Sequence, residues 1–238
     1  MKKLFSVMLI IINLNCFAQA KKWFVSFSIA PSFGGPTASL KNQMKAQGYG
    51  DHAESTFNLF GSGSTSYPRG GSVAFLARGG KKINDHKSVY FVAGIAEKAT
   101  IEGFKAEGWS DGFFGLFAGT YGQHVTVSYT TYQLTAGYMY SFSNSRAKLG
   151  FGPSVYLLNY GTSMDYAGME NHTSLVPGAS FTARLPLGKE KKLFGVELVF
   201  EGNMAPPIQM KSGHNDGFQA KNANMFSANA GLAFSLRK

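Results

Sequence analysis

The sequence predicts an all-β fold in which eight antiparallel strands close into an up-and-down barrel. Three observations carry that prediction: eight segments in which every second residue is large and apolar, connections that alternate between short and long, and a polar strand face of small, mostly uncharged side chains. Composition agrees with it. The 238 residues are 44% apolar and 14% aromatic but only 15% charged, with 29 glycines and one cysteine; an ordinary soluble domain is about 25% charged. A disordered chain, a disulfide scaffold and a collagen are excluded, because the apolar fraction is normal, cysteine is nearly absent and the glycines have no period. The length suffices for one domain to bury a sizeable core.

The first segment of the chain is not a strand. Lys2 and Lys3 precede an apolar run from Leu4 to Ile12, and Ala18-Gln19-Ala20 supplies the small-x-small pattern of a signal-peptidase site. The run falls well short of the roughly 20 residues of a spanning helix. Residues 1–20 therefore read as a cleaved secretory signal and residues 21–238 as the mature domain. Lipidation at Cys16 competes with this reading, but Asn15 is a poor residue where a small one is wanted. Cleavage after Ala20 removes the cysteine, so thiol chemistry and disulfides are both excluded. No later apolar stretch reaches the length of a transmembrane helix.

Alternation with the period of a strand begins at once. Trp23, Val25, Phe27 and Ile29 face away from Ser26, Ser28 and Ala30, and Val73, Phe75 and Ala77 away from Ser72, Ala74 and Leu76. Val89, Phe91, Ala93 and Ile95 oppose Tyr90, Val92 and Gly94; Tyr132, Leu134, Ala136, Tyr138 and Tyr140 oppose Gln133, Thr135, Gly137 and Met139. A fifth segment sets Leu149, Phe151, Pro153, Val155 and Leu157 against Gly150, Gly152, Ser154 and Tyr156. A sixth sets Leu175, Pro177, Ala179, Phe181, Ala183 and Leu185 against Gly178, Ser180, Thr182 and Arg184. In the seventh, Phe194, Val196, Leu198 and Phe200 oppose Gly195, Glu197 and Glu201. In the last, Phe226, Ala228, Ala230, Leu232, Phe234 and Leu236 oppose Ser227, Asn229, Gly231 and Ser235.

The connections after the second, fourth and sixth segments are short, near Gly79 to Lys87, Ser143 to Ala147 and Leu187 to Lys192. Those after the first, third, fifth and seventh are long, near Gly34 to Gly70, Phe104 to Gln123, Gly161 to Asn171 and Asn203 to Lys221. Alternate connections of an up-and-down sheet lie at the same end, and an even strand count brings both termini to the short-turn end. The pattern is that of an eight-stranded antiparallel up-and-down transmembrane β-barrel with short periplasmic turns and long extracellular loops. A soluble eight-stranded barrel would alternate similarly with its apolar face inward, but its outer face would carry Lys, Glu and Asp along the strands. Here that face is Ser, Gly, Thr and Ala, which suits the crowded interior of a narrow barrel. The large residues then face lipid, with Trp23, Tyr138, Tyr140 and Phe234 placed for an aromatic girdle near the turn end.

In the last strand, Asn229, Gly231, Phe234 and Leu236 resemble the C-terminal signal by which outer-membrane proteins are handed to the barrel-assembly machinery: a polar residue, a glycine, then two apolar residues spaced by one. Arg237-Lys238 follows where many such proteins stop at an aromatic. Over residues 21–238 the chain resembles the outer-membrane β-barrel domain family, the small OmpX-like and OmpA-membrane-domain-like barrels of Gram-negative bacteria. The resemblance implies a fold, a place in the cell outer membrane, contact with its lipid, and handling by periplasmic chaperones and the assembly machinery. It implies no catalytic residues and no cofactor.

Charge is distributed unevenly. The formal +10 becomes +8 without Lys2 and Lys3. The short-turn side holds Lys21, Lys22, Arg78, Lys81, Lys82, Lys87, Arg146, Lys148, Arg184, Lys189, Lys191, Lys192, Arg237 and Lys238 against Asp85 and Glu190, a net +12 that leaves −4 for the long-loop side. Such a ring would meet anionic phospholipid headgroups, or is a solvated set of turns. Nucleic acid is a poor partner, because no basic, aromatic-interleaved module is present. Within the lumen, the turn between strands six and seven brings Arg184 near Glu197 for an opposite-charge pair.

The parts of an enzymatic barrel are not assembled by the sequence. His52, His86, His124, His172 and His214 are scattered, and His124 and Ser128 stand about 13 Å apart along one strand, too far for a nucleophile and its base. Asp51, Glu170 and Asp216 have no diagnostic metal spacing. In the first loop, Thr37 to Gly48 reads as a short helix, with Thr37 or Ser39 as cap and Gly48 as stop, able to fold over the mouth. The second loop interleaves glycines with Trp109, Phe113, Phe114, Phe117 and Tyr121, aromatics that would stack on sugars or grip a partner, or else extend the hairpin. The expectation is a non-enzymatic structural or surface-interaction protein that acts through its loops on an extracellular ligand or protein. A lipid-modifying enzyme and a soluble periplasmic lipocalin-like binder are the alternatives. A conducting pore is disfavoured, since eight strands leave little lumen.

Overall fold

The computed structural model describes residues 23–50, 68, 70–110, 119–142, 146–164, 170–188, 194–210 and 218–237, with backbone alone at 106–110, 119–121, 164, 170, 194 and 237. Residues 1–20, where a cleaved signal is expected, lie outside these. In chain order the elements are β1 (Trp23–Gly34), α1 (Gly35–Ala46), β2 (Ser72–Lys82), β3 (Lys87–Ser110), β4 (Gly119–Ser141), β5 (Lys148–Met164), β6 (Glu170–Leu187), β7 (Phe194–Met204), β8 (Ile208–Gln209), β9 (Asn222–Ala223) and β10 (Ser227–Arg237). Eight of them close a barrel in the order β1-β10-β7-β6-β5-β4-β3-β2, each pair antiparallel. Closure pairs Phe27 with Phe234 and Ile29 with Leu232, so no lateral edge of the barrel is left open. The two-residue strands β8 and β9 pair with each other in the last connection.

The alternating faces fall as the period-two pattern requires. Phe91, Leu134 and Leu175 are 61%, 60% and 68% exposed on the outside, while Ser26, Gln133, Thr135, Ser154, Ser180 and Thr182 are buried inside. Outward Tyr138, Tyr140 and Phe142 gather at the turn end, with Tyr140 and Phe142 edge to face at 5.1 Å. The apolar outer run covers Tyr132 to Tyr140 on β4 and Leu175 to Leu187 on β6, bracketing the roughly 9–11 residues a spanning strand needs.

Two of the expected long loops are corrected. The stretches near Phe104 to Gln123 and Gly161 to Asn171 are strand for most of their length, because β3 and β4 continue to Ser110 and from Gly119, and β5 and β6 to Met164 and from Glu170. Their alternation continues with the opposite sense of polarity. In these upper sections the inward residues are apolar, namely Ile101, Val125, Val127, Leu158 and Tyr160, all at most 3% exposed. The outward residues are polar: Lys98 and Thr100 on β3, Ser128 and Thr130 on β4, Asn159 on β5 and Thr173 on β6. Cross-strand contacts between these outer side chains, Thr100 Oγ1 to Ser128 Oγ at 3.1 Å and Thr173 Oγ1 donating to Asn159 Oδ1 at 2.7 Å, mark a surface built for water. The barrel is thus apolar outside and polar inside over its turn-end half, and polar outside and apolar inside above it.

A bulge in β3 between Ile95 and Glu97 lies at the junction. One extra residue shifts the parity, so that Tyr90 and Val92 point inward below it and Glu97, Ala99 and Ile101 above it. Gly94 at φ 152 lies beside the bulge, where a Cβ would strike the Phe75 carbonyl. The upper interior is then filled by α1 and the last connection. Leu40 and Met44 of α1 pack with Tyr49, Ile208, Met210, Phe218, Ala223 and Met225 against the inward wall of β3, β4 and β5.

Candidate functional site

The lower lumen is floored by ion pairs. Arg184 Nη2 lies 2.7 Å from Glu197 Oε2 with both side chains buried, and Lys148 Nζ donates to Glu197 Oε1 at 3.1 Å. The register explains the triangle: Lys148 of β5 is opposite Arg184 of β6, and Glu197 comes from the adjoining β7. Arg184 also donates to Ser26 Oγ of β1 at 2.9 Å, reaching across the barrel. Higher up, Arg78 of β2 pairs with Glu201 of β7 and donates to Thr182 Oγ1 at 3.3 Å. Its guanidinium lies 5.5 Å from the centre of the Tyr90 ring, within cation–π reach.

Desolvating these charges is costly, and mutual pairing with further hydrogen bonds offsets that cost. The described lumen holds three basic side chains, Arg78, Lys148 and Arg184, and three acidic ones, Glu97, Glu197 and Glu201. Arg78, expected among the basic residues of the turn side, lies inside the barrel, since β2 continues through Lys82 and the parity of Ala74 and Leu76 carries on to Arg78.

Between floor and mouth the filling is neutral and hydrogen-bonded. Thr135 Oγ1 meets Ser154 Oγ at 2.7 Å and accepts from Gln133 and Ser180, while Tyr156 donates to Asn203 Oδ1 at 3.1 Å. Tyr90 fills the remaining width against two glycines. A Cβ at Gly137 would stand 2.6 Å from its ring, and one at Gly150 would stand 2.9 Å from it. Small residues do line the lower lumen, but they serve there to seat buried Tyr90, Tyr156 and Met139.

The mouth is closed by α1, and a residue of the barrel wall holds the helix there. The helix spans Gly35–Ala46, starting before the expected Thr37. Gly34 and Gly35 at φ 80 and 58 turn the chain inward from β1, and Pro36 pre-sets the first turn. Neither Thr37 nor Ser39 caps it. Gly34 at the cap position has no side chain to offer, and the orphan amide of Thr37 donates instead to Glu97 Oε1 at 3.4 Å, with Thr37 Oγ1 donating to the same oxygen at 2.8 Å. Tyr129 donates to that oxygen too and touches Thr37 Oγ1. A carboxylate from β3 therefore serves as the N-terminal cap of a helix distant in sequence, where the helix dipole favours negative charge. Gly48, at φ 87, ends the helix by donating to the Lys45 carbonyl at 3.0 Å.

Along its outer side α1 is joined to the last connection through side-chain amides. Gln47 Nε2 donates to the Gln219 carbonyl at 2.9 Å and its Oε1 accepts from the Gln219 amide at 3.0 Å. Gln43 Oε1 accepts from the Lys221 amide at 2.8 Å, and Ser39 donates to the Asn222 carbonyl at 3.1 Å. The two glutamines act as a short strand edge against residues 219–222. The result is a filled lumen under a fastened cap.

The other residues singled out in the sequence are dispersed. Phe113, Phe114 and Phe117 lie outside the described residues, and Trp109 and Tyr121 are described only as strand backbone. Asn229 is buried in the lumen, Phe234 is exposed on the outer belt, and Gly231 sits where a Cβ would strike the Ile29 carbonyl of β1; Leu236 pairs with Val25 and Phe194. His124 and Ser128 are on the outward face of β4, opposite Phe104 and Thr100. His52, Asp51, His214 and Asp216 lie outside the described residues. Among the described residues no cluster of His, Cys, Asp and Glu could hold a metal ion. The sequence reading missed Glu97, Tyr129, Gln43 and Gln47. A bulge after Ile95 turns Glu97 inward from the outward parity of Ala93 and Ile95, and nothing local in the run Ile95-Ala96-Glu97 marks it.

No family model and no curated protein sequence matches the chain. Among solved structures, Ail, the attachment invasion locus protein of Yersinia pestis, matches over 91% of this chain and 100% of its own at 10% identity, with a TM-score of 0.40. Neisserial surface protein A (NspA) matches over 91% and 97% at 13% identity, also with a TM-score of 0.40. The outer membrane protein AlkL, solved in DMPC bilayers by solid-state NMR, matches over 92% and 91% at 12% identity with the same score. Likenesses at this level carry no function across. By its own strand order and faces, the chain is an eight-stranded antiparallel up-and-down β-barrel with an apolar outer belt.

Proposed function

We propose that the protein is an integral barrel of the outer membrane that crosses it with the turn-end half, its turns in the periplasm, and displays α1, the β8–β9 connection and the upper hairpins outside the cell. Its role is non-enzymatic, structural or in surface interaction, exercised through that displayed end. The inversion of polarity along the barrel axis is the observation that supports this reading. Water cannot favour a turn-end half with Phe91, Leu134 and Leu175 outward, and hydrocarbon cannot favour an upper half with Thr100, Ser128 and Asn159 outward. One chain satisfies both solvents only if the membrane surface lies at the junction.

A soluble ligand-binding barrel would turn its lower apolar face inward, and a pore would leave its lumen open; the outward belt and the filled, ion-paired lumen favour neither. The test is twofold. The folded protein should migrate differently on a denaturing gel before and after heating and should stay with membranes through carbonate washing; release as a soluble protein would refute the barrel placement. For the surface role, Trp109→Ala and Phe114→Ala should abolish capture of an extracellular ligand or protein while that gel behaviour is kept, and lipid A should keep its mass in the presence of the protein.

A further inference from the structure

The lumen uses up some of the turn-end cations and leaves others outside. Arg78, Arg184 and Lys148 are matched by Glu201 and Glu197. Lys81, Lys82, Lys87 and Arg146 are exposed and make no ion pair among the described residues. Two of these lysines occupy a particular place on the outer wall. On β2 the outward series Phe75, Ala77 and Gly79 ends at Lys81, and on β3 the outward series Phe91 and Val89 ends at Lys87. Each stands where the apolar belt stops, pointing to the lipid side.

Both are flanked by aromatics of the girdle. Register sets Lys81 opposite Trp23 and Lys87 opposite Tyr140, and Lys81 Nζ lies 5.8 Å from the Trp23 ring centre. The turn between the lysines carries Ile83, half exposed, an apolar residue at a turn that water alone would not favour. Above Lys81, Gly79 leaves open space where a side chain would lie.

We propose that Lys81 and Lys87 form a binding site on the outer wall for an anionic phospholipid of the turn-side leaflet. The phosphate lies between the two ammonium groups, and an acyl chain runs up the wall over Gly79 and Ala77. Charge complementarity selects the occupant: two cations with no ion pair among the described residues, beside one carboxylate, Asp85, in the same turn, fit a headgroup of net negative charge better than a zwitterionic one, whose own cation opposes them. The proposal rests on the membrane reading above. The site also gives the turn end a preference for the leaflet in which such lipids lie.

The full mature chain is folded into nanodiscs of phosphatidylcholine with one third phosphatidylglycerol, and retained lipids are counted by native mass spectrometry. Lys81→Gln with Lys87→Gln is the test variant and Lys41→Gln with Lys45→Gln, at the other end, the control. Retention of phosphatidylglycerol over phosphatidylcholine should fall about fivefold for each lysine removed, about 25-fold for the pair. High salt should lower it in the wild type, and the control should match the wild type. Equal retention of both lipids by the wild type, or a preference that survives the double substitution, overturns the proposal. Heat-dependent gel migration is read on every sample. Its loss in the wild type refutes the membrane reading; its retention with no lipid preference refutes this site alone.

Discussion

Glu97→Ala should loosen the mouth while leaving the barrel closed. The substitution removes the acceptor for Thr37 Oγ1, for the Thr37 amide and for the Tyr129 hydroxyl. The three contacts are not worth three full hydrogen bonds. The amide contact at 3.4 Å is long, and Thr37 and Tyr129 remain in contact with each other. Loss of a helix cap costs about 1 kcal/mol, and loss of one good hydrogen bond to a charged group about 1.5 kcal/mol. The sum, about 2–3 kcal/mol, raises the open population of α1 about 30- to 150-fold. The helix does not detach altogether, because Leu40 and Met44 stay buried and contribute about 1.5–3 kcal/mol each. Hydrogen exchange read by mass spectrometry, on protein folded in zwitterionic vesicles, should show faster exchange in peptides covering α1 and unchanged exchange in β6 and β7. Glu97→Gln, which keeps an acceptor but not the charge, should fall between. Unchanged α1 exchange in Glu97→Ala would refute the cap, and equal loosening of all strands would show that Glu97 holds the wall and not the helix.

Other outcomes follow from the same geometry. Glu197→Ala leaves Arg184 and Lys148 facing each other without their shared carboxylate and should cost about 3–5 kcal/mol, read as a lower urea midpoint of the heat-modifiable form. Glu201→Gln, which strips Arg78 of its charge partner but keeps an acceptor, should cost less in the same titration. Gly150→Ala should destabilise by about 1–3 kcal/mol through overpacking, since the new methyl meets Tyr90 and Thr182. In a Tyr90→Leu background part of that cost should vanish, the contact with Thr182 Cγ2 remaining, a non-additivity that a double-mutant cycle measures. Leu134→Lys, on the outer belt, should cost about 2–4 kcal/mol and Ser128→Lys close to nothing, by equilibrium unfolding from bilayers.

The barrel was legible in the sequence because period-two alternation is a local signal, and each lipid-facing strand carries its own copy. Phe27, Phe91 and Phe234 announce their faces without reference to the rest of the fold. The upper half was not read as strand because its polarity is reversed. Val125, Val127 and Tyr129 alternate as strictly as any lower segment, but against Thr126 and Ser128, which resemble loop residues when every strand is expected to be apolar outward. Glu97 was hidden by the bulge after Ile95, which one sequence does not reveal. Arg184 and Glu197 were within reach because one turn joins their strands. Arg78 and Glu201 were not, since β2 and β7 are separated by β1 and β10 and meet only across the lumen. The helix was visible from Leu40, Met44 and Gly48. Its start was not, because the cap comes from another strand.

The membrane surface is placed at the junction where the barrel inverts, and β4 crosses that junction without a bulge on its own strand. Single nitroxide labels at its outward positions Thr126, Ser128, Thr130, Tyr132, Leu134, Ala136 and Tyr138, on protein in bilayers, report collision with oxygen, which concentrates in hydrocarbon, and with a water-soluble nickel chelate. Oxygen should dominate from Tyr132 to Ala136 and nickel from Thr126 to Ser128, with the crossover near Thr130. A uniform profile along the strand, or nickel access at Leu134 equal to that at Ser128, would contradict the placement of this barrel in a membrane.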